Sequence, residues 1–223
     1  MSDLLEWANE RPLFTVNEAE RATGMNRASL HEKLSRLTQR GDLKRIERGK
    51  YTVHNDAMIY ATYIETPSFL SLWSGLRFYD LTTQQPATVQ VITPKNRDDL
   101  PNINFYYSNE MFGFGKKHYQ GFQIFVADRE RLLLDCLGRK QVPVSELGDL
   151  VSAVDCNTAT EYAQRLGKQS VKKRLGYLLE HIRGDSVDAL RVRDRNYPVL
   201  DLTQPAEGET DTRWRLRVNT DVN

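Results

Sequence analysis

Apolar residues in the first fifty positions recur at spacings that change along the way. Leu30, Leu34 and Leu37 fall at helical intervals, with Ala19 and Ala22 upstream of them, so each run predicts a helix burying one face. Leu4, Leu5 and Trp7 precede Arg11-Pro12, where the proline is expected to stop a short first helix. Phe14-Thr15-Val16 reads as a brief extended piece. Asn17 is expected to cap the second helix and Gly24 to end it. Asn26 caps the third, with Met25 plugging the turn and Gly41 as terminator. Two β-prone runs, 43–47 and 50–53, flank Arg48-Gly49, a hairpin signal. Helix, helix, glycine turn, helix, hairpin is the plan of a winged helix-turn-helix.

A polar turn at His54-Asn55-Asp56 suggests a boundary, giving domains 1–55 and 56–223. The second region alternates patterns. Residues 58–64 and 69–79 read as helices; 87–93, 103–107 and 122–126 as strands, with 94–101 as a loop. Asp128 is expected to cap a helix bearing Leu132, Leu133, Leu134 and Leu137, and further helices follow at 145–154, 158–166 and 171–182. Strand-like pieces at 197–202 and 214–218 enclose a polar tract, 203–212, read as a mobile loop. The fold class expected is mixed α/β: a winged helix followed by an α/β domain.

Composition changes the picture only locally. The 223 residues carry a formal net charge of +1, so global electrostatics point to no partner. Charge within the winged helix is polarised. Residues 1–26 hold two basic and five acidic side chains, whereas residues 27–50 hold eight basic and three acidic ones. The basic half coincides with the recognition helix and the wing, the elements this motif presents to double-stranded DNA. With Leu30, Leu34 and Leu37 inward, Arg27, Ala28, Ser29, His31 and Lys33 face outward on the first turns. Arg27 is expected to reach a guanine and Ser29 a base or phosphate. Arg36 and Arg40 are expected to meet backbone, and Arg45, Arg48 and Lys50 on the wing a flanking phosphate or the minor groove. A second basic surface is expected from Lys116, Lys117, Lys172, Lys173 and Arg174.

Catalytic signatures are weak. Phe112-Gly113-Phe114-Gly115-Lys116-Lys117 lacks the spacing and hydroxyl of a phosphate-binding loop and reads as a tight turn. Asp128, Glu130 and Asp135 could be drawn as a metal-binding cluster. Asp128 and Glu130 suit the start of a helix, and Asp135 sits four residues after Arg131, an ion-pair spacing. His31, His54, His118 and His181 are scattered, and neither Cys136 nor Cys156 has a partner at zinc spacing. No cofactor or metal is expected. Two cysteines and no long apolar run fit a reducing cytoplasm. The competing classes are a DNA-delivered catalytic protein, such as a metal-dependent nuclease, and a stand-alone ligand-responsive regulator.

Five segments beyond the wing carry a further signal: TPSFLSLWSGLRFYDLT (66–82), VQVITPK (89–95), MFGFGK (111–116), VADRERLLLDCL (126–137) and RWRLRVN (213–219). In that order, behind a winged helix, they resemble the AbiEi antitoxin family of transcriptional regulators. The resemblance implies a repressor that binds inverted repeats in its own promoter, within a type IV toxin–antitoxin or phage-defence operon. It also implies a C-terminal domain supporting repression and antitoxicity, and a nucleotidyltransferase-like toxin as partner, neutralised without a stable complex.

Overall fold

The computed structural model describes residues 4–222. They form two compact units, neither continuous in sequence. The first runs up to Leu70 and takes in Ala87–Asn109 and Lys116–Phe125; the second holds Ser71–Pro86, Glu110–Gly115 and the chain from Val126 onward.

The first unit opens with α1 (Leu4–Asn9), β1 (Phe14–Thr15), α2 (Val16–Thr23), α3 (Arg27–Arg40), β2 (Lys44–Glu47) and β3 (Lys50–Thr52). The three strands lie in the order β1-β3-β2. Leu4, Ala8, Phe14, Val16, Ala19, Leu30, Leu34, Leu37, Leu43 and Tyr51 make one buried core, each large side chain contributing about 1.5–3 kcal/mol by leaving water. The cap of α2 is Thr15 rather than Asn17: its hydroxyl accepts from the Glu18 amide at 3.3 Å, and the Glu18 carboxylate takes the Thr15 amide at 2.7 Å. This reciprocal capping box satisfies two otherwise orphaned donors, so it outcompetes a lone asparagine two residues later. Asn26 accepts from the Ser29 amide at 2.9 Å, and Gly24 and Gly41 close α2 and α3 in left-handed conformations.

After α4 (Ala57–Ile64), the same unit contains most of a five-stranded sheet of β4 (Phe69–Leu70), β5 (Val89–Thr93), β6 (Ile103–Tyr107), β7 (Phe114–Tyr119) and β8 (Phe122–Ala127), in the order β6-β5-β4-β8-β7. Strands β5 and β6 are parallel. Two expectations change here. Residues 69–79 begin as strand, because Phe69 and Leu70 pair with Ile92 and Val91; the helix starts only at α5 (Leu72–Phe78). Phe114 to Lys117, the latter part of the expected tight turn, open the edge strand β7 (FGKKHY), whose Lys116 and His118 are exposed. Charges and a glycine hid its period-two pattern, and charged residues on an edge also discourage unwanted pairing.

The second unit is mainly helical: α5, α6 (Arg129–Leu137), α7 (Gly148–Ala153), α8 (Cys156–Leu166) and α9 (Gln169–Arg183). Gly176 on α9 is required by close approach, since a Cβ there would sit 2.0 Å from the Trp214 ring. Trp214 itself is buried and donates its indole N–H to Glu180 at 2.8 Å. The polar tract 203–212 is not simply a loop: β9 (Glu209–Asp211) pairs with β10 (Leu216–Val218). Of residues 197–202, only Val199 makes a bridge, to Arg217. Backbone pairing across sequence, rather than local pattern, makes these short strands. Among the described residues no helix is long and apolar enough to cross a membrane.

Candidate nucleic-acid interface

The recognition helix α3 is oriented by its three buried leucines, which leave Arg27, Ala28, His31, Arg36 and Arg40 exposed and Ser29 and Lys33 half-buried. The wing is oriented by strand alternation. Arg45 pairs with Tyr51 across β2 and β3, so the two share a face. Gly49 takes φ 79° in the connecting turn, a conformation glycine adopts without steric cost. A cleft of about 480 Å³ results, lined by Thr15, Val16, Asn17, Arg27, His31, Arg45, Arg48, Gly49 and Tyr51. A smaller hollow continues along α3 past His31, Ser35, Thr38 and Gln39. Three arginines and a histidine thus converge from two elements on one concavity that has no carboxylate in its lining.

The remaining cations are not equivalent. Arg27 donates to Asn17 at 2.9 Å and pairs with Glu20 at 3.2 Å, both on α2, so the acidic half of the winged helix holds the first basic residue of the basic half. Arg40 pairs with Asp42 at 3.1 Å. Arg36, Arg45 and Arg48 are exposed and make no ion pair among the described residues.

Lys50 departs from the expectation for the wing. It neighbours Tyr51 on the same strand and therefore projects to the opposite face from Arg45. There its ammonium pairs with Glu47 at 2.9 Å and donates to the Ile64 carbonyl, outside the cleft.

The expected second basic surface is corrected in part. Lys116 is exposed on β7, with its ammonium 5.8 Å from the Phe125 ring, and Lys117 and Lys172 are half-buried. Lys173 and Arg174 are not at the surface, at 1% and 3% exposure. Lys173 donates to Asp194 and to the Asn196 carbonyl, each at 2.5 Å. Arg174 donates to the Val199 and Leu137 carbonyls at 2.8 Å each. Burial lowers the Arg174 guanidinium to about 10, against the opposing pull of Asp201. These cations hold the C-terminal segment to α9 and α6.

The carboxylates of α6 are likewise committed to packing. Asp135, buried in the second unit, accepts from Ser71 at 2.9 Å, Arg131 at 3.1 Å and Arg139 at 3.2 Å. Glu130 accepts the Asp155 amide at 2.8 Å. Among the described residues no group of three or more His, Cys, Asp and Glu side chains is placed to hold a metal ion. Burial pushes the Cys136 thiol well above its ordinary value, with Asp135 adding to the effect, as expected of a core cysteine.

Sequence reasoning missed Thr15, Asn17 and Tyr51 as parts of the cleft. Asn17 was taken for a cap, and Tyr51 reads locally as core; only the pairing of β1, β2 and β3 brings them beside Arg27 and Arg45.

Comparison with known proteins fits this geometry. Residues 2–54 match the model of a family described as "Transcriptional regulator, AbiEi antitoxin". No curated protein matches the chain. Among solved structures, the RV2827C protein from Mycobacterium tuberculosis aligns over 92% of this chain and 85% of its own, with a TM-score of 0.64 and 14% identity. At that identity the likeness is one of fold. Residues 2–54 of this chain therefore match the AbiEi antitoxin transcriptional regulator family, and the chain as a whole shares a mixed α/β architecture with the mycobacterial protein.

Proposed function

We propose that the protein is a DNA-binding repressor and antitoxin whose winged helix reads inverted repeats in its own promoter. The observation that carries this reading is the cleft in which Arg27 and His31 of α3 face Arg45 and Arg48 of the wing. Recognition helix and wing converging with one sign of charge is the arrangement that docks a major groove and its flanking phosphates. In this reading Arg27, Ala28, Ser29, His31 and Lys33 lie against base edges, while Arg36, Arg40, Arg45 and Arg48 meet backbone; two copies occupy the two arms of a repeat. Residues 1–55 are the DNA-reading module, and 56–223 the AbiEi-type part that supports repression and antitoxicity. The neutralised partner is a nucleotidyltransferase-like toxin, in keeping with a type IV system, and the setting is the cytoplasm. The protein acts by occupancy rather than catalysis.

The test is titration of the full chain against a duplex from its own upstream region and a scrambled duplex of equal length, at several salt concentrations. The expected result is preference for the upstream duplex, with a log–log salt slope of about −3 to −4 per protomer from four phosphate contacts. Equal binding to both duplexes ends the operator reading, and no salt dependence ends the interface reading. Supercoiled DNA incubated with divalent metal is expected to stay intact; cleavage would move the protein to the catalytic class.

A further inference from the structure

The wing is tied to chain outside the winged helix by a relay of charges. Glu47, on β2 two residues from Arg45 and adjacent to Arg48, is clasped from two sides. Lys50 approaches one carboxylate oxygen at 2.9 Å, and Arg97 donates through Nη2 to the other at 2.6 Å. Arg97 lies in the loop between β5 and β6, beyond the segment shared with the antitoxin family. Its side chain is held there: the guanidinium lies 4.3 Å above the Phe105 ring, and Nη1 is 3.8 Å from Glu65, at the end of α4. Glu65 is also paired with Lys95. The Arg97 side chain is 17% exposed, so its pair with Glu47 is less screened than a free surface pair.

Without that clasp, Glu47 would stand as an unneutralised carboxylate at the base of the turn that carries Arg48. Its charge would act against the phosphates that the neighbouring Arg48 is placed to meet, and it would leave the turn less fixed. Lys50 reaches only one of the two carboxylate oxygens and also anchors to the Ile64 carbonyl, so the second oxygen depends on Arg97. We infer that Arg97 is a positioning residue for DNA binding: from outside the winged helix, it neutralises Glu47 and sets the wing for its phosphate contacts. The inference rests on the proposed DNA-binding reading and adds to it a contact that lies outside the DNA-reading module.

The test compares the full-length protein with Arg97→Ala, Glu47→Gln, the Arg97→Ala/Glu47→Gln double variant and Arg48→Ala, measuring duplex affinity, its salt slope and thermal unfolding. Arg97→Ala should weaken binding about tenfold, the loss corresponding to one clasped, partly buried ion pair. Its salt slope should stay unchanged, because Arg97 touches no phosphate. Glu47→Gln in the Arg97→Ala background should restore most of the affinity, since the amide carries no charge to repel phosphate. Lost stability with full affinity in the Arg97→Ala variant would make Arg97 a packing residue and overturn the inference. A slope reduced by about one, with no rescue by Glu47→Gln, would make it a direct phosphate contact and overturn it as well. Arg48→Ala separates the two levels: if it binds like the wild type, the interface reading has failed; if it binds weakly while Arg97→Ala is normal, only the role of Arg97 has.

Discussion

Helices α3 and α9 are nearly the same length, 14 and 15 residues, and both carry a cluster of Lys and Arg among regularly spaced leucines. In sequence they invite the same interpretation. In the fold they differ completely. Only Leu30, Leu34 and Leu37 of α3 are buried, so its cations look outward; α9 buries Lys173, Arg174, Leu175, Gly176, Tyr177, Leu178 and Leu179 in succession. A helix that packs on one side leaves its charges to a partner, whereas a helix enclosed on most sides must satisfy its charges internally. Cationic clusters are thus a signal for nucleic acid only after the width of the buried face is known.

The sharpest way to break that comparison is to remove a cation from each helix. Arg174→Ala should cost about 3–5 kcal/mol in chemical denaturation, because it strands two buried carbonyls and leaves a cavity. The folded fraction should bind DNA as before; a stable, non-binding variant would place Arg174 at the interface after all. Leu34→Ala on α3 should likewise lose about 2–5 kcal/mol of stability. If instead stability holds and only binding is lost, the buried and outward faces of α3 have been exchanged.

Smaller effects sharpen the assignment within the cleft. Arg27→Ala should cost about 1–3 kcal/mol of binding at the specific site and relax base preference, while leaving unfolding nearly unchanged. Arg48→Ala should weaken specific and non-specific binding alike and flatten the salt slope by roughly one unit. A change confined to one duplex would assign Arg48 to base reading. Glu20→Gln, which releases Arg27 from an exposed pair, should move affinity by less than about fivefold.

The smallest expected effect is a pH signature of the wing. Burial pushes the Glu47 carboxyl up, but hydrogen bonds and charge from Lys50 and Arg97 outweigh this and hold it below its ordinary value of 4.5. A depressed carboxylate contributes stability that is fully present above about pH 4.5 and is lost as pH falls through the lower folded-state value. Thermal unfolding followed from pH 6 to pH 3 should show this component in the wild type and not in Glu47→Gln. Identical profiles would mean that the clasp does not survive in solution.

Local chemistry made much of the winged helix legible. Leucine spacing, the Asn26 cap, glycine terminators and the Arg48-Gly49 turn are all short-range signals, and each names its element. Signals that depend on distant partners were misread. FGKKHY shows no apolar–polar alternation in its residue types and no β-branched residue, and it is a strand because β8 lies beside it. Residues 203–212 carry no large apolar side chain, yet Glu209–Asp211 pairs with Leu216–Val218. Asn17 was an acceptable cap until Thr15 and Glu18 offered a better one.

From the sequence by itself came the helix-turn-helix with its wing, the outward arc of α3 and the polarisation of charge between residues 1–26 and 27–50. These depend on periodicity and caps that act within a few residues. Tertiary structure alone decided which cations are available. It turned Lys50 out of the cleft, buried Lys173 and Arg174, held Arg27 with Glu20 and brought Arg97 to Glu47 across fifty residues. The physical reason is that a charge's environment is set by what packs around it, and no local pattern encodes that.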